Sequence, residues 1–169
     1  MGALHKGHLS LVEQSNKTCQ NTVVSIYLNP AQFAPTEDLE SYPRNIKKDI
    51  KQLSNYQTDS IFLPDDSEIY PQGFNSVVPS TDLAKVLEGK SRPYFFQGVT
   101  TVVSKLFNIV EPSHAFFGEK DAQQLRVIQQ MIIELNFPIE IISCPIVREE
   151  NGLAMSSRNL YLTNEEREQ

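Results

Sequence analysis

What the sequence lacks narrows the classes of protein that it can encode. No apolar run approaches the roughly 18 residues of a transmembrane helix, tryptophan is absent, and the two cysteines, Cys19 and Cys144, lie far apart with no C-x-x-C spacing. Two such cysteines indicate free, buried thiols in a reducing compartment. Histidine and glycine stand near the start, where a signal peptide would carry its apolar segment. We therefore expect a cytoplasmic protein with no membrane partner.

The charge balance argues against another class of partner. The chain has 15 Lys and Arg against 21 Asp and Glu, a formal net charge of −6. Nucleic-acid-binding surfaces are normally basic, so we expect no nucleic-acid partner. A negative net charge is still compatible with a local basic pocket for a nucleotide. A length of 169 residues with 40% hydrophobic residues suits one domain with a substantial core.

The first ten residues, MGALHKGHLS, contain the most informative motif. His5 and His8 are three residues apart, Gly7 stands beside the second, and an apolar run follows at once. Glycine permits close approach of a ligand to the backbone, and a helix that begins here offers unpaired N–H groups to an anion. The motif therefore predicts a phosphate site with two imidazoles. The alternative is a pair of surface histidines at a frayed terminus.

Strand and helix patterns alternate along the chain, which is typical of βαβ units in a parallel, doubly wound sheet. Nothing in the sequence precedes the first motif to supply the strand that such a turn normally follows, and the sequence stops inside a predicted helix, so both ends resemble cuts. The patterns predict helices at 7–17, 44–55, 82–88, 98–110, 122–136 and 163–169, strands at 22–28, 59–63, 113–117, 139–143 and 145–147, and an edge hairpin at 73–79.

Further candidate motifs follow strands, at 29–33, 118–121 and 147–158. Ligands of open α/β sheets bind at the carboxyl ends of strands, so the shared location favours one site. Lys120 is suited to phosphate oxygens, Asp121 to a ribose hydroxyl or to capping the next helix, and Arg158 to a triphosphate. The Gln32 side chain can donate and accept hydrogen bonds together; the alternative is a solvated turn residue. One of Gln123 and Gln124 should face the cleft.

Taken together, the motifs resemble the pantothenate synthetase (pantoate–β-alanine ligase) family of the nucleotidylyltransferase superfamily. The resemblance extends over essentially the whole chain. The matching segments are MGALHKGH at 1–8, NPAQF at 29–33, YPR at 42–44, EIYP at 68–71, LEG at 87–89, VSKLFN at 103–108, FGEKD at 117–121 and GLAMSSRN at 152–159.

This resemblance implies an α/β fold, a doubly wound parallel sheet in a Rossmann-like nucleotidylyltransferase domain, with residues 1–169 as the nucleotide-binding domain and a C-terminal segment starting from about 160. It implies a two-step ligase in which pantoate and ATP give pantoyl adenylate and pyrophosphate, and β-alanine then gives pantothenate and AMP. Mg²⁺ would arrive with the triphosphate, with no dedicated metal site, and the chain would form a homodimer.

The resemblance also implies roles for individual residues. His8 would be the proton donor, with His5 and Lys120 as further catalytic groups. Gln32 would contact pantoate and β-alanine, and Gln124 would contact pantoate. The implied ATP-binding residues are Met1, Gly2, Ala3, Leu4, His5, Lys6, Gly7, His8, Gly118, Glu119, Lys120, Asp121, Val147, Met155, Ser156, Ser157 and Arg158.

The sequence departs from the family at three places. Residues 1–169 include neither the first strand that the family has before the opening motif nor the family's smaller C-terminal domain. After residues 91–93 the family has a small residue and a histidine, where this chain has Tyr94 and Phe95. Two alternatives therefore stay open: a truncated, non-catalytic nucleotide-binding or dimerisation module, and a nucleotidylyltransferase that activates a different substrate.

Overall fold

The computed structural model describes residues 2–79 and 82–167 as an α/β fold. Four strands, β1 (Val23–Ser25), β2 (Ser60–Phe62), β3 (His114–Gly118) and β4 (Glu140–Cys144), alternate with helices. The helices are α1 (Lys6–Thr18), α2 (Ile46–Leu53), α3 (Asp66–Ile69), α4 (Glu88–Ser91), α5 (Phe95–Val110), α6 (Ala122–Glu134) and α7 (Asn164–Arg167), with 3-10 helices at Pro30–Gln32, Asp82–Ala84, Glu119–Asp121 and Ser157–Tyr161.

The strands form two parallel pairs. Val23 of β1 lies opposite Ser60 of β2, and His114 of β3 lies opposite Glu140 of β4. Because both strands of a pair run in the same direction, the segments that follow them leave the sheet at the same edge. The predicted α/β fold with parallel strands is thus confirmed, although the strands are shorter than the apolar runs that predicted them.

Apolar side chains form two clusters, and α1 packs between the strand pairs. Val12 of α1 packs in one cluster with Val24 of β1 and Leu53 of α2. The other cluster joins α5 and α6, with Ile128 fully buried, to side chains of β3 and β4. Since α1 also contacts β3 and β4, the histidines at its start lie at the junction of the two halves.

Helix α5 fixes the turn that follows β1 through a close backbone contact. A Cβ atom on Gly98 would lie 2.3 Å from the carbonyl oxygen of Ala31, which is much closer than van der Waals contact. Asn29 strengthens the contact by donating from Nδ2 to the Gly98 carbonyl oxygen at 3.0 Å. Only glycine allows this approach, and it places Gln32 next to the first turn of α5.

Three predicted elements differ in the structure. The predicted hairpin at 73–79 is wrong, because Val78 forms its backbone hydrogen bonds with Thr101 Oγ1 and Thr100 Oγ1 of α5 instead of with a neighbouring strand. The strand predicted at 145–147 is also wrong; the chain there enters a turn closed by the Arg148–Ala154 bridge. The helix predicted at 82–88 is divided between the 3-10 helix Asp82–Ala84 and α4.

The end of the described chain packs on the turn at 148–159. Thr163 and Glu166 form a capping box, in which each side chain accepts a hydrogen bond from the other residue's backbone N–H, at 3.3 and 2.8 Å. Arg167 forms an ion pair with Glu149 at 3.0 Å. Over the described ranges 2–79 and 82–167, the helices are too short or too polar for any of them to cross a bilayer.

Candidate active site

The predicted site residues from all four motifs meet at one cavity of about 290 Å³, at the carboxyl ends of the strands. Its walls are formed by the start of α1, the turn after β1, the turn between β3 and α6, and residues 145–158. The predicted residues in these walls are Gly2, His5, Gly7, His8, Gln32, Gly118, Lys120, Asp121, Gln124, Val147, Met155, Ser156, Ser157 and Arg158.

His5 and His8 cap α1 together and stack on each other. His5 Nδ1 accepts a hydrogen bond from the Gly7 backbone N–H at 3.1 Å, and His8 Nδ1 accepts one from the His5 backbone N–H at 3.4 Å. The ring centroids are 4.0 Å apart. A nitrogen that accepts a hydrogen bond carries no proton, so these contacts assign the proton of each neutral ring to Nε2. Each imidazole can therefore donate to a ligand through Nε2–H.

The surroundings keep both imidazoles neutral. Burial, followed by the neighbouring His5 ring, lowers the pKa of His8 from 6.5 to about 3. Burial and the positive charge of Lys120 also lower the pKa of His5. In the unliganded chain at neutral pH, His8 is thus a hydrogen-bond donor without a positive charge.

Gly7 leaves room for the His5 ring, which lies directly against it. A Cβ atom at position 7 would lie 2.9 Å from His5 Cε1 and 3.0 Å from His5 Nδ1. Any larger residue would push the ring away from the backbone N–H that it accepts. The spacing of histidine and glycine in the sequence therefore reflects a direct contact.

Some predicted ATP-binding residues lie outside the cavity wall. The backbone N–H groups of Ala3 and Leu4 donate to the Asp49 carboxylate, while Lys6 and Glu119 are exposed to solvent. Met1 lies outside the described residues. Their contribution to nucleotide binding stays a prediction.

The turn after β1 aims Gln32 through a network around the buried Asn29. Asn29 Nδ2 donates to Gln32 Oε1 at 3.1 Å, and Tyr70 donates its hydroxyl to Asn29 Oδ1 at 2.7 Å. Burial raises the pKa of Tyr70 to about 12, so this hydroxyl keeps its proton. With its Oε1 atom engaged, Gln32 offers its Nε2 amide group to a ligand.

Arg92 holds the same turn from the other side and was not among the predicted site residues. It donates to both carboxylate oxygens of Glu37 at 2.6 and 2.7 Å, to Glu88 at 2.7 Å and to the Gln32 carbonyl oxygen at 2.9 Å. Its guanidinium lies 3.9 Å from the centre of the Phe95 ring. The aromatic side chain that replaces the family histidine is therefore a stacking surface for Arg92 and part of the cavity wall.

The structure separates the two consecutive glutamines at the start of α6. Gln124 lines the cavity. Gln123 instead donates to the carbonyl oxygens of Leu83 and Val86 and accepts from the Glu88 backbone N–H. One glutamine thus faces the cavity as expected, and the other fixes the segment before α4.

Lys120 and Asp121 pair with each other. Lys120 Nζ lies 2.9 Å from Asp121 Oδ1, and Asp121 makes no side-chain capping bond to α6 although it occupies the N-cap position. Capping therefore does not explain this aspartate. The pair presents a cation and an anion side by side on the cavity wall.

The turn at 155–158 contributes hydroxyls and a guanidinium that is already paired. Ser157 Oγ donates to the Ala3 carbonyl oxygen at 3.3 Å, which ties this turn to the residues before α1. Arg158 donates to both carboxylate oxygens of Asp38, at 3.2 and 3.0 Å. That hydrogen bonding lowers the pKa of Asp38 and raises the pKa of Arg158, so both groups stay charged. In the part of the chain that the structure describes, no cluster of three or more His, Cys, Asp or Glu side chains is arranged to hold a metal ion.

The sequence of the whole chain, residues 1–169, matches the family described as pantoate-beta-alanine ligase. The chain belongs to this family. It is 54% identical over its full length to the pantothenate synthetase of Pseudothermotoga lettingae, and 55% identical over 167 residues to that of Acetivibrio thermocellus. The match covers 60% and 59% of those two proteins, so the chain spans about three fifths of the length of these curated relatives.

Solved structures of the pantoate-beta-alanine ligase family share this fold closely. The Thermus thermophilus enzyme superposes with a TM-score of 0.97 at 48% identity, covering 99% of this chain and 61% of the other. The Francisella tularensis enzyme, solved in complex with beta-gamma ATP and beta-alanine, superposes with a TM-score of 0.93 at 41% identity, covering 97% and 63%.

Proposed function

We propose that this chain carries the active site of an ATP-dependent ligase that condenses pantoate with β-alanine. The observation that carries the proposal is the convergence of the His5–His8 pair, Gln32, Lys120 and Arg158 on one cavity. Family membership and the substrates bound in the Francisella tularensis complex support the same assignment.

In the first step, a pantoate carboxylate oxygen attacks the α-phosphorus of ATP. The bond from that phosphorus to the bridging oxygen breaks, and pyrophosphate leaves with the electron pair. Negative charge grows on the phosphate oxygens, and fixed donors stabilise it without reorganising. The Nε2–H groups of His5 and His8 act as such donors, because both rings are neutral and held by the backbone. Lys120 and Arg158 supply positive charge.

Magnesium would enter as part of the nucleotide substrate. Mg²⁺ usually keeps several waters and is held largely by substrate phosphates, which suits a cavity whose described walls contain single carboxylates, Asp121 and Glu88. When bound, it would neutralise part of the triphosphate charge.

In the second step, the β-alanine amine attacks the acyl carbon of pantoyl adenylate and AMP leaves. The Gln32 amide group is held by Asn29 and can bind an acid or amide oxygen at this point. Gln124, which also lines the cavity, would orient pantoate. Enclosure of the adenylate by the cavity would limit its hydrolysis by water.

We also propose the setting in which this site works. The small-molecule partners are ATP, pantoate and β-alanine, and the protein is a cytoplasmic homodimer. The presence of two free cysteines, Cys19 and Cys144, supports a reducing compartment. Exposed apolar side chains such as Ile133 and Leu135, which are 65% and 49% exposed, support contact with a second chain.

The deciding experiment measures AMP formation from ATP, Mg²⁺ and pantoate, with and without β-alanine. We expect pantothenate and AMP to form in equal amounts only when both acids are present. His8→Ala should abolish the reaction, and His114→Ala is the matched control, because His114 lies at the other end of β3 and contacts Ser113 and Glu140. ATP binding without any AMP would make this chain a nucleotide-binding module.

A further inference from the structure

Side chains from distant parts of the sequence hold the four backbone polar groups of Ala3 and Leu4. Asp49 Oδ2 accepts the Ala3 N–H at 3.1 Å, and Asp49 Oδ1 accepts the Leu4 N–H at 2.8 Å. Gln52 Nε2 donates to the Leu4 carbonyl oxygen at 3.2 Å, and Ser157 Oγ donates to that of Ala3. This segment therefore takes its shape from α2 and from the turn at 155–158.

Asp49 is an unusual residue to find in this position. Its side chain is only 2% exposed, and burying a carboxylate is costly unless hydrogen bonds compensate. Two backbone N–H groups, one on each oxygen, supply that compensation. Gln52 follows three residues later and thus lies on the same face of α2. One face of α2 therefore holds the segment before α1 by hydrogen bonds.

The segment formed by Ala3 and Leu4 has a strained backbone and leads directly into the site. Ala3 has a φ of +48°, a left-handed conformation that a residue with a Cβ adopts at a cost. Leu4 is buried against Val12 and Leu53. His5 follows at once and caps α1, so the position of its ring depends on how this segment is held.

We propose that Asp49, assisted by Gln52, is a positioning residue for the His5–His8 pair. Asp49 does not face the cavity, and it acts by fixing the two N–H groups that precede His5. Loss of these hydrogen bonds lets Ala3 relax from its left-handed conformation and moves the His5 and His8 rings. The consequence for ATP rests on the proposed function, whereas the consequence for the rings does not.

The histidine ring resonances of the labelled full chain provide the test, because the sequence contains only three histidines. Asp49→Asn keeps the shape of the side chain but replaces one acceptor oxygen with an amide donor, which cannot accept an N–H. We expect this variant to shift the ring nitrogen and carbon resonances of His5 and His8 and to leave those of His114 unchanged. Unchanged resonances of His5 and His8 would overturn the proposal.

Two control variants separate positioning from a general loss of stability. Asp59→Asn alters a carboxylate that also accepts a backbone N–H, that of Thr22 at 2.7 Å, but at the amino end of β1. Phe107→Leu loosens the other apolar cluster near the far end of α5. Both should leave the His5 and His8 resonances in place. If Phe107→Leu moved them as much as Asp49→Asn, the effect would be structural and the proposal wrong.

Gln52→Leu provides a second route if Asp49→Asn does not fold, since it removes only the bond to the Leu4 carbonyl oxygen. The same criteria apply to its histidine resonances. Titration calorimetry then measures ATP binding, which we expect to weaken by roughly tenfold in Asp49→Asn. Rings that move without any loss of ATP affinity would overturn the positioning role. A wild-type chain that binds no ATP would instead contradict the proposed function, and the ring resonances would still decide the role of Asp49.

Discussion

Each imidazole at the start of α1 uses its two nitrogens for different tasks. The Nδ1 atoms of His5 and His8 accept backbone N–H groups, and the Nε2–H groups remain for a ligand. An anion would normally attract a charged histidine, yet burial holds these rings neutral. The site therefore gains directional hydrogen bonds at pH 7 without depending on the protonation of either ring.

Acid should destabilise the fold through His8. Its pKa is about 3 in the folded chain and 6.5 when unperturbed, so between these values the unfolded chain binds a proton that the folded chain does not. Stability contributed by the neutral ring is present above pH 6.5 and is lost as the pH falls towards 3. Thermal melts between about pH 7 and pH 4 should show this loss.

His8→Gln provides the comparison, because glutamine does not titrate in this range. We expect the melting temperature of the variant to fall less steeply with acid than that of the wild type, whatever its value at neutral pH. Parallel slopes would show that His8 titrates normally.

Asp38 should compete with ATP for Arg158. The pair is half-exposed, with N–O distances of 3.0 and 3.2 Å, so its strength is modest, about 0.2–1 kcal/mol. Asp38→Asn removes the competing charge, and we expect ATP to bind up to about fivefold more tightly, as measured by calorimetry. Asp82→Asn, which disrupts the exposed pair with Lys85, should have no effect. Weaker binding in Asp38→Asn would show that Asp38 orients Arg158 for the nucleotide.

Residue types and strand ends pointed to His5, His8, Gln32, Lys120 and Arg158 on the cavity wall, and the family resemblance added others such as Val147 and Met155. They did not indicate Asp38, Asp49 or Arg92. A charged residue in a helix or loop normally points to solvent, and the bonds from Asp49 to Leu4, from Arg92 to Glu37 and from Asp38 to Arg158 join residues 45, 55 and 120 positions apart. No local pattern carries such information. The one nearby sequence signal for Arg92 was the departure from the family pattern at Tyr94 and Phe95, because Phe95 stacks on Arg92.

Among the larger elements, α5 determines where the turn after β1 lies. The helix is buried along most of its length, and Gly98 allows it to touch the backbone of Ala31. The same helix uses Thr100 and Thr101 to bind Val78. A single buried helix thereby positions a turn of the cavity wall on one side and an irregular segment on another.

Gly98→Ala should separate α5 from the turn that carries Gln32. Its Cβ would meet backbone atoms, which cannot rotate away, and overpacking of this kind costs about 1–3 kcal/mol. We expect the melting temperature to fall by roughly 3–10 °C, at about 2–4 °C per kcal/mol for a chain of this size. Gly118→Ala is the control for stability, because nothing lies within 4 Å of the added Cβ. An unchanged melting temperature would mean that α5 and the Ala31 backbone can move apart at little cost in stability.

Long periodic elements were predictable, and short irregular ones were not. The apolar spacing of α5 and the β-branched run of β1 located these elements to within a few residues. Residues 73–79 and 145–147 also look strand-like, but their backbone groups bond to side chains or to a neighbouring turn. Sequence alternation does not show which partner an extended segment will find.

In the molecule as a whole, the cavity spans the junction between the two strand pairs. A ligand there contacts the start of α1, the turn between β3 and α6, and the turn at 155–158. Binding at such a junction links the stability of both halves.

ATP should therefore raise the melting temperature of the entire chain. At about 100 times its dissociation constant, a ligand that binds only the folded state adds about 2.7 kcal/mol, which corresponds to roughly 5–10 °C here. Differential scanning calorimetry should show one transition that moves upward with ATP. The shift should be smaller in His8→Gln, and two transitions of which only one responds would show that the halves unfold independently.

The ion pairs on the cavity wall also affect how quickly a nucleotide can be captured. In the described residues, Lys120, Arg92 and Arg158 each lie within 3.0 Å of a carboxylate, in a chain whose net charge is −6. An approaching polyanion meets short-range dipoles instead of bare positive charges, so it gains little long-range electrostatic steering. The association rate of ATP, followed by stopped-flow fluorescence, is accordingly not expected to fall as the ionic strength rises, because the exchange of partners begins only after contact.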